Sequence, residues 1–120
     1  MKKFRVVVCG GREFADAGLL EVSLDHLFSK RKREELVILS GGARGADTLG
    51  AAYATSRGIE VDVFMADWTK YGRAAGMRRN AEMIATADGL VAFWDGVSKG
   101  TKHAIEYATK KGLSVRVVRY

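Results

Sequence analysis

The chain has 120 residues, of which 48% are hydrophobic and 28% charged, and carries a net charge of +6 at neutral pH. That length and balance fit one globular domain, residues 1–120, with a real core. They exclude a membrane-spanning segment, since no apolar stretch approaches roughly 20 residues, and the single Cys9 excludes an internal disulfide. The opening "MKKFRVVVCGGREF" puts its charges before an apolar run too short for a signal-peptide core with a cleavage site, so a cytoplasmic, unprocessed protein is expected. The positive excess favours an anionic partner, without saying which anion, and no membrane partner is expected.

The first strand pattern is "FRVVVC", from Phe4. Cys9 closes it and reads as a small buried residue, because nothing adjacent supplies a base to make it a nucleophile. After the connection "CGGREF", with Gly10, Gly11 and Arg12, a helix is expected with a buried stripe of Leu20, Leu24, Leu27 and Phe28. The basic run "SKRKR", Ser29 to Arg33, closes that helix, where cations meet the negative end of its dipole. His26, between apolar positions of the same helix, is read as structural. A second strand, "ELVILS" from Glu35, leads into "SGGARGAD" and a helix burying Leu49, Ala52 and Tyr53, ended by a left-handed cap at Gly58. The third strand, "IEVDVFM" from Ile59, precedes the long connection "MADWTKYGRAAGMRRN" and a helix burying Met77, Ala81 and Ile84. The fourth, "GLVAFW" from Gly89, precedes "WDGVSKGT" and a helix burying Ile105 and Ala108, capped at Gly112. The fifth, "LSVRVV" from Leu113, alternates polar and apolar residues and is placed at a sheet edge. The first four are nearly continuously apolar, as strands covered on both faces are.

Five strands separated by crossover helices make an α/β chain. Right-handed crossovers then give a three-layer α/β/α Rossmann-like sandwich with a five-stranded, mainly parallel sheet. In such a sheet all strand-to-helix loops emerge on one rim, and ligands bind there near the reversal of strand order. The unusual chemistry of the sequence therefore converges on that rim.

In "SGGARGAD" three glycines exceed what a turn needs, which suggests close approach of the backbone to a ligand. Following Ser40, Gly41 and Gly42 turn the chain off the strand, and Gly45 opens the helix start, where free N–H groups and the dipole favour an anion. Arg44 could close on a phosphate with a bidentate contact. Asp47, in the first helical turn, would repel a deeply seated phosphate and instead accept from a sugar hydroxyl or base amine. The loop lacks the Gly-Lys-Ser/Thr ending of a Walker motif, which speaks against magnesium-dependent triphosphate hydrolysis. "DGVSKGT" is a second candidate anion loop, with Asp95, Gly96, Ser98, Lys99, Gly100 and Thr101, although an ordinary helix cap has the same composition. Trp94, Trp68 and Tyr71 could stack on a base or merely lid the core. Of the adjacent Arg78 and Arg79, separated by about 100° of helical turn, Arg79 with Asn80 is placed on the rim. Asp67 precedes Trp68 in the third connection. The two histidines and one cysteine are too scattered for a metal cluster, His103 reads as a surface helix residue, and no cofactor is called for.

At these residues the chain resembles the superfamily that joins the DNA-processing protein DprA (Smf) with the LOG cytokinin-activating enzymes, called SLOG. It is most similar to the small YspA-type, cpYpsA-related branch. "GGREF", "SGGARGAD", "ADWTKYGRAAGMRRN" and "FWDGVSKGT" span most of the chain in the order that branch shows. "SGGARGAD" also resembles the DprA loop, and "RRN" the "RRNR" segment of DprA. The resemblance implies a Rossmann-like domain that binds nucleotides, their derivatives or nucleic acid across Gly41 to Asp47 and Asp95 to Thr101, assisted by Arg79, in a homo-oligomer. LOG-type phosphoribohydrolases are similar at "RN" and "GT", but their motif "PGGxGTxxE" would place the catalytic glutamate at Ala104. Glu106 lies about 200° around the helix from that position.

The expected function is binding of a nucleotide or nucleotide-derived small molecule at the rim, as a sensor or sequestering domain. Two alternatives stand beside it: hydrolysis of a nucleotide N-glycosidic bond, with Asp95, Asp67 or Glu82 as substitute carboxylates, and DprA-like binding of single-stranded DNA.

Overall fold

The computed structural model describes residues 2–120. Strands β1 (Phe4–Gly10), β2 (Leu36–Ser40), β3 (Glu60–Val63), β4 (Gly89–Trp94) and β5 (Ser114–Arg119) form one sheet in the order β3-β2-β1-β4-β5. Every pairing is parallel, with Val6 opposite Ile38 on one side and Gly89 on the other. Helices α1 (Ala17–Leu27), α2 (Ala46–Arg57), α3 (Trp68–Tyr71), α4 (Ala75–Ala85) and α5 (Lys99–Lys110) connect them.

Alternation along the central strands sorts side chains to two cores. Val6, Val8, Leu36, Ile38, Val91 and Phe93 face α1 and α2, where Leu20, Leu24, Tyr53 and Ala54 meet them. Val7, Val37, Leu39, Leu90 and Ala92 face α4 and α5, against Met83, Ile84, Ala104 and Ala108. The three-layer α/β/α sandwich expected from the pattern is present. β5 is an edge, and Gly58 and Gly112 both have positive φ just past their helices.

Several local expectations are corrected. α2 buries Ala46, Asp47, Gly50, Tyr53 and Ala54, leaving Ala52 exposed and Leu49 half-buried. The helix lies so close to β1 that a Cβ on Gly50 would sit 2.7 Å from Val8 Cγ1, so the smallest residues form its inner face. Met77 is 54% exposed, because the first turns of α4 overhang the rim and its buried face is Ala75, Met83 and Ile84. α1 ends before the basic run: the buried Phe28 is its C-cap, and Ser29–Arg33 leads into a short 3-10 turn at Arg33–Glu35. His26 is exposed in the last turn of α1. β3 is the other edge, with its outward carboxylates paired rather than covered: Glu60 to Lys3 at 2.9 Å and Asp62 to Arg5 at 3.2 Å. The third connection holds an additional helix, α3, which hydrophobic spacing does not reveal because four residues carry no periodicity.

Candidate functional site

β1 and β4 are neighbours, but their following helices lie on opposite faces of the sheet. A crevice opens between diverging loops at such a switch point. Here it is a cleft of about 460 Å³, whose walls include Arg12, Ala43, Asp47, Arg79, Ser98 and Thr101. The two glycine-bearing loops therefore face one another across one cavity.

The loop after β1 is built by backbone packing. Gly11 N–H donates to Phe93 O at 3.1 Å, and Gly11 O accepts from Phe14 N–H at 3.2 Å and Ala46 N–H at 3.3 Å. A Cβ on Gly45, where φ is +83°, would stand 2.3 Å from Gly11 O. Gly10 and Gly45 thus serve contact between the chain's own backbones, while Gly11, Gly41 and Gly42 lie against the side chains of Tyr120, of Arg79 and Asp47, and of Met65.

Part of the β2 loop is tied back onto itself. Ser40 Oγ donates to Asp47 O at 3.0 Å and accepts from Gly42 N–H at 3.2 Å, while Thr48 Oγ1 donates to Ala43 O at 2.8 Å. Asp47 is only 5% exposed. Burial pushes its carboxyl up to about 6, against the pull of the Arg79 charge and of hydrogen bonds from the Ala43 and Gly41 backbones. Arg79 is anchored above, Nη1 donating to Gly41 O at 2.6 Å and Nε to Asn80 Oδ1 at 3.0 Å.

The loop after β4 is pinned differently. Asp95 Oδ1 accepts from Val97 N–H and Ser98 N–H, both at 2.8 Å, and these bonds hold its carboxyl below the usual range. Trp94 donates its indole N–H to Ser98 O at 3.0 Å, with Arg119 over its ring, so it braces the turn. α5 then begins at Lys99 without a side-chain cap, and its first-turn amides have no acceptor inside the helix. Ser98 and Thr101 hydroxyls lie 3.3 Å apart beside them. A Cβ on Gly100 would meet nothing within 4 Å. Here the backbone is open to the cleft.

Trp68, 52% exposed, leans on Gly76 and walls both this cleft and a smaller one of about 230 Å³ between the β2 loop and the third connection. The smaller cleft is lined by Gly41, Gly42, Arg44 and Met65, and shares Arg12, Ala43, Trp68 and Arg79 with the larger. Arg44 pairs with Glu13 rather than reaching into the larger cleft. Asp67 caps α3 by accepting from Lys70 N–H at 3.0 Å. Of the residues expected at the site, Gly10, Gly11, Arg12, Asp47, Trp68, Arg79, Asn80, Asp95, Ser98, Gly100 and Thr101 line the large cleft. Gly41, Gly42 and Arg44 line only the small one. Ser40, Gly45, Asp67, Trp94, Gly96 and Lys99 line neither and act on loop shape or stay outside.

Sequence reasoning missed Cys9, Glu13, Arg73, Gly76, Met77, Ala104 and Tyr120 as lining residues. Met77 carries a signal, an apolar side chain beside an arginine pair, but its helical spacing reads as core. Tyr120 carries none: it arrives from the end of β5, where its hydroxyl covers Gly11 and its ring packs edge-on to Phe14 at 4.7 Å. The Cys9 thiol is pushed up by burial and by Asp47, which keeps it protonated. Ala104 lines the cleft at 3% exposure, whereas Glu106 is exposed. The position at which a LOG-like motif needs its glutamate thus faces the site and holds a methyl group.

Comparison with known proteins agrees with this architecture. The Gene 61 protein of Mycobacterium phage D29 is 38% identical over 118 residues, covering 92% of this chain and 93% of that one. Among solved structures, DNA processing protein A from Streptococcus pneumoniae superposes with a TM-score of 0.77 at 20% identity, over 97% of this chain and 50% of its own. DNA processing protein A from Helicobacter pylori, described with a single-stranded DNA binding mode, superposes with a TM-score of 0.72 at 17% identity, over 97% and 65%. The present chain therefore spans half to about two thirds of those two proteins, and at such identity they share its fold. The YspA, cpYpsA-related SLOG family matches residues 4–71, more than half of the chain. Together with the extended likeness to the phage protein, this makes the chain a member of the YspA, cpYpsA-related SLOG family.

Proposed function

We propose that this domain binds a nucleotide or nucleotide-derived small molecule in the large cleft, as a sensor or sequestering protein. The observation that carries this reading is the open amino end of α5 facing Arg12, Arg73 and Arg79 across a cavity of about 460 Å³. That volume lies within the roughly 300–1,000 Å³ of small-molecule sites. Unpaired amides at a helix start and guanidinium groups recognise phosphate. The cleft also holds Glu13, Asp47 and Asp95, which would oppose an anion if all were free. They are not: Glu13 is tied to Arg44, Asp95 to two amides, and Asp47 is buried. Trp68 offers an exposed aromatic face for a base. The methyl group of Ala104 argues against fast N-glycosidic cleavage, which wants a placed carboxylate beside the cationic sugar.

Native mass spectrometry of freshly purified protein tests the reading, since it reports retained ligand mass and subunit count together. A thermal-shift panel of nucleotides follows. We expect a bound or stabilising nucleotide, an effect lost in Arg79→Ala, and more than one subunit. No retained nucleotide and no stabilisation by any would refute it. A second reading, single-stranded DNA binding, is favoured by the shared fold with the Helicobacter pylori protein and the net charge of +6. It requires affinity that falls steeply with salt, by about 10³–10⁵ between 50 and 200 mM if 6–10 phosphates are contacted.

A further inference from the structure

The two clefts differ in charge in a way that bears on the ligand's chemical class. Around the large one, three guanidinium groups are matched by three carboxylates. Around the small one stand Arg12, Arg44 and Arg79 with no carboxylate in the lining. Its remaining surface is Gly41 to Ala43, Ala66, the exposed ring of Trp68 and the exposed thioether of Met65. At about 230 Å³ it is smaller than the sites that enclose a whole small molecule, so it suits one end of a ligand seated next door. The shared residues Arg12, Ala43, Trp68 and Arg79 form the threshold between the two spaces. Two of these four are arginines, so a chain crossing the threshold passes between positive charges. Arg44 is held at the mouth by its exposed pair with Glu13, a contact weak enough to yield to a better acceptor.

We infer that the small cleft is a second phosphate subsite, and that the ligand is therefore not a lone mononucleotide but two nucleoside units joined through phosphate. This rests on the nucleotide reading of the large cleft. One nucleotide occupies the large cleft, the linking phosphate crosses at Arg12 and Arg79, and the next unit leaves past Met65 with Arg44 beside it. A 3′,5′-phosphodiester and a 5′,5′-pyrophosphate link share this chemistry and differ in reach.

The test is calorimetric titration of the full chain with the four nucleoside 5′-monophosphates, the matching 5′-phosphorylated 3′,5′-dinucleotides and the matching 5′,5′-pyrophosphate dinucleotides. One of the two dinucleotide sets is expected to bind about tenfold more tightly than its monophosphate, and the set that does so identifies the link. In a Glu13→Gln background, where no carboxylate is released into the large cleft, Arg44→Ala should abolish that excess while leaving monophosphate affinity within about twofold, and Arg44→Glu should make the second unit unfavourable. Equal affinity for mono- and dinucleotides in the unsubstituted protein, or equal weakening of both by Arg44→Ala in the Glu13→Gln background, overturns the second subsite alone. Binding of none of the probes overturns the nucleotide reading, and the subsite with it.

Discussion

At Asp47 the fold holds an acid where water is scarce. Its carboxyl titrates near 6 in the folded chain against 3.8 when unperturbed, chiefly through burial. The folded state thus binds this proton more tightly than the unfolded chain does, so the group costs no stability below about pH 4. The cost grows as pH rises from there toward 6 and is complete above it. Asp47→Asn removes the cost and should raise unfolding free energy at pH 8 by up to about 3 kcal/mol, with no gain at pH 4. Urea denaturation at the two pH values checks this, and a variant less stable at pH 8 would show that the carboxylate is more favourably solvated than its burial implies. The glycines separate packing from binding in the same way. Gly45→Ala forces a side chain to φ +83° and against Gly11 O, and should destabilise by more than about 2 kcal/mol. Gly100→Ala enters open space at a helix start, so thermal denaturation should be unchanged or slightly raised while nucleotide affinity falls. If Gly100→Ala binds nucleotide as the unsubstituted protein does, the amino end of α5 is not the phosphate seat.

Among the elements, β4 does most to join core and site. Its Phe93 is fully buried, stacks on Phe14 at 5.0 Å, and through its carbonyl holds Gly11 in place. Phe93→Ala should cost about 3–5 kcal/mol by equilibrium denaturation and disorder the β1 loop along with the core. Strands such as β4 are legible from the sequence because burial on both faces demands an unbroken apolar run, which a surface loop or a half-exposed strand does not carry. Helix faces are less so. The inner face of α2 includes Gly50 and Asp47, which no hydrophobicity pattern selects, and α4 presents Met77 outward because its first turns have no sheet beneath them. α3 is too short to leave a periodic trace. Candidate residues at or near helix starts, Ser98, Thr101 and Arg79 among them, can be named because chemistry-bearing residues after successive strands must share a rim. Tyr120 cannot be, since its place depends on how far β5 runs beside β4.

For the whole molecule, the basic surplus and the cleft make different demands on salt. A ligand held by a few enclosed contacts should lose no more than about threefold in affinity between 50 and 200 mM salt, far less than a strand laid over scattered cations. Filter binding of a labelled oligonucleotide beside calorimetry of a nucleotide, at both salt concentrations, separates the two. Alternation of strand and helix patterns was enough to specify an α/β sandwich and the rim on which its loops gather, because crossover handedness leaves few other arrangements. Strand order, and with it the opening between β1 and β4, came from pairings distant in the chain, to which a local pattern is blind. So did the fate of the glycines and of Asp47. Whether an amide faces a ligand or the chain's own groups depends on which loops meet in space, and in this fold Gly45 is pressed onto Gly11 O while Gly100 at the start of α5 faces open space.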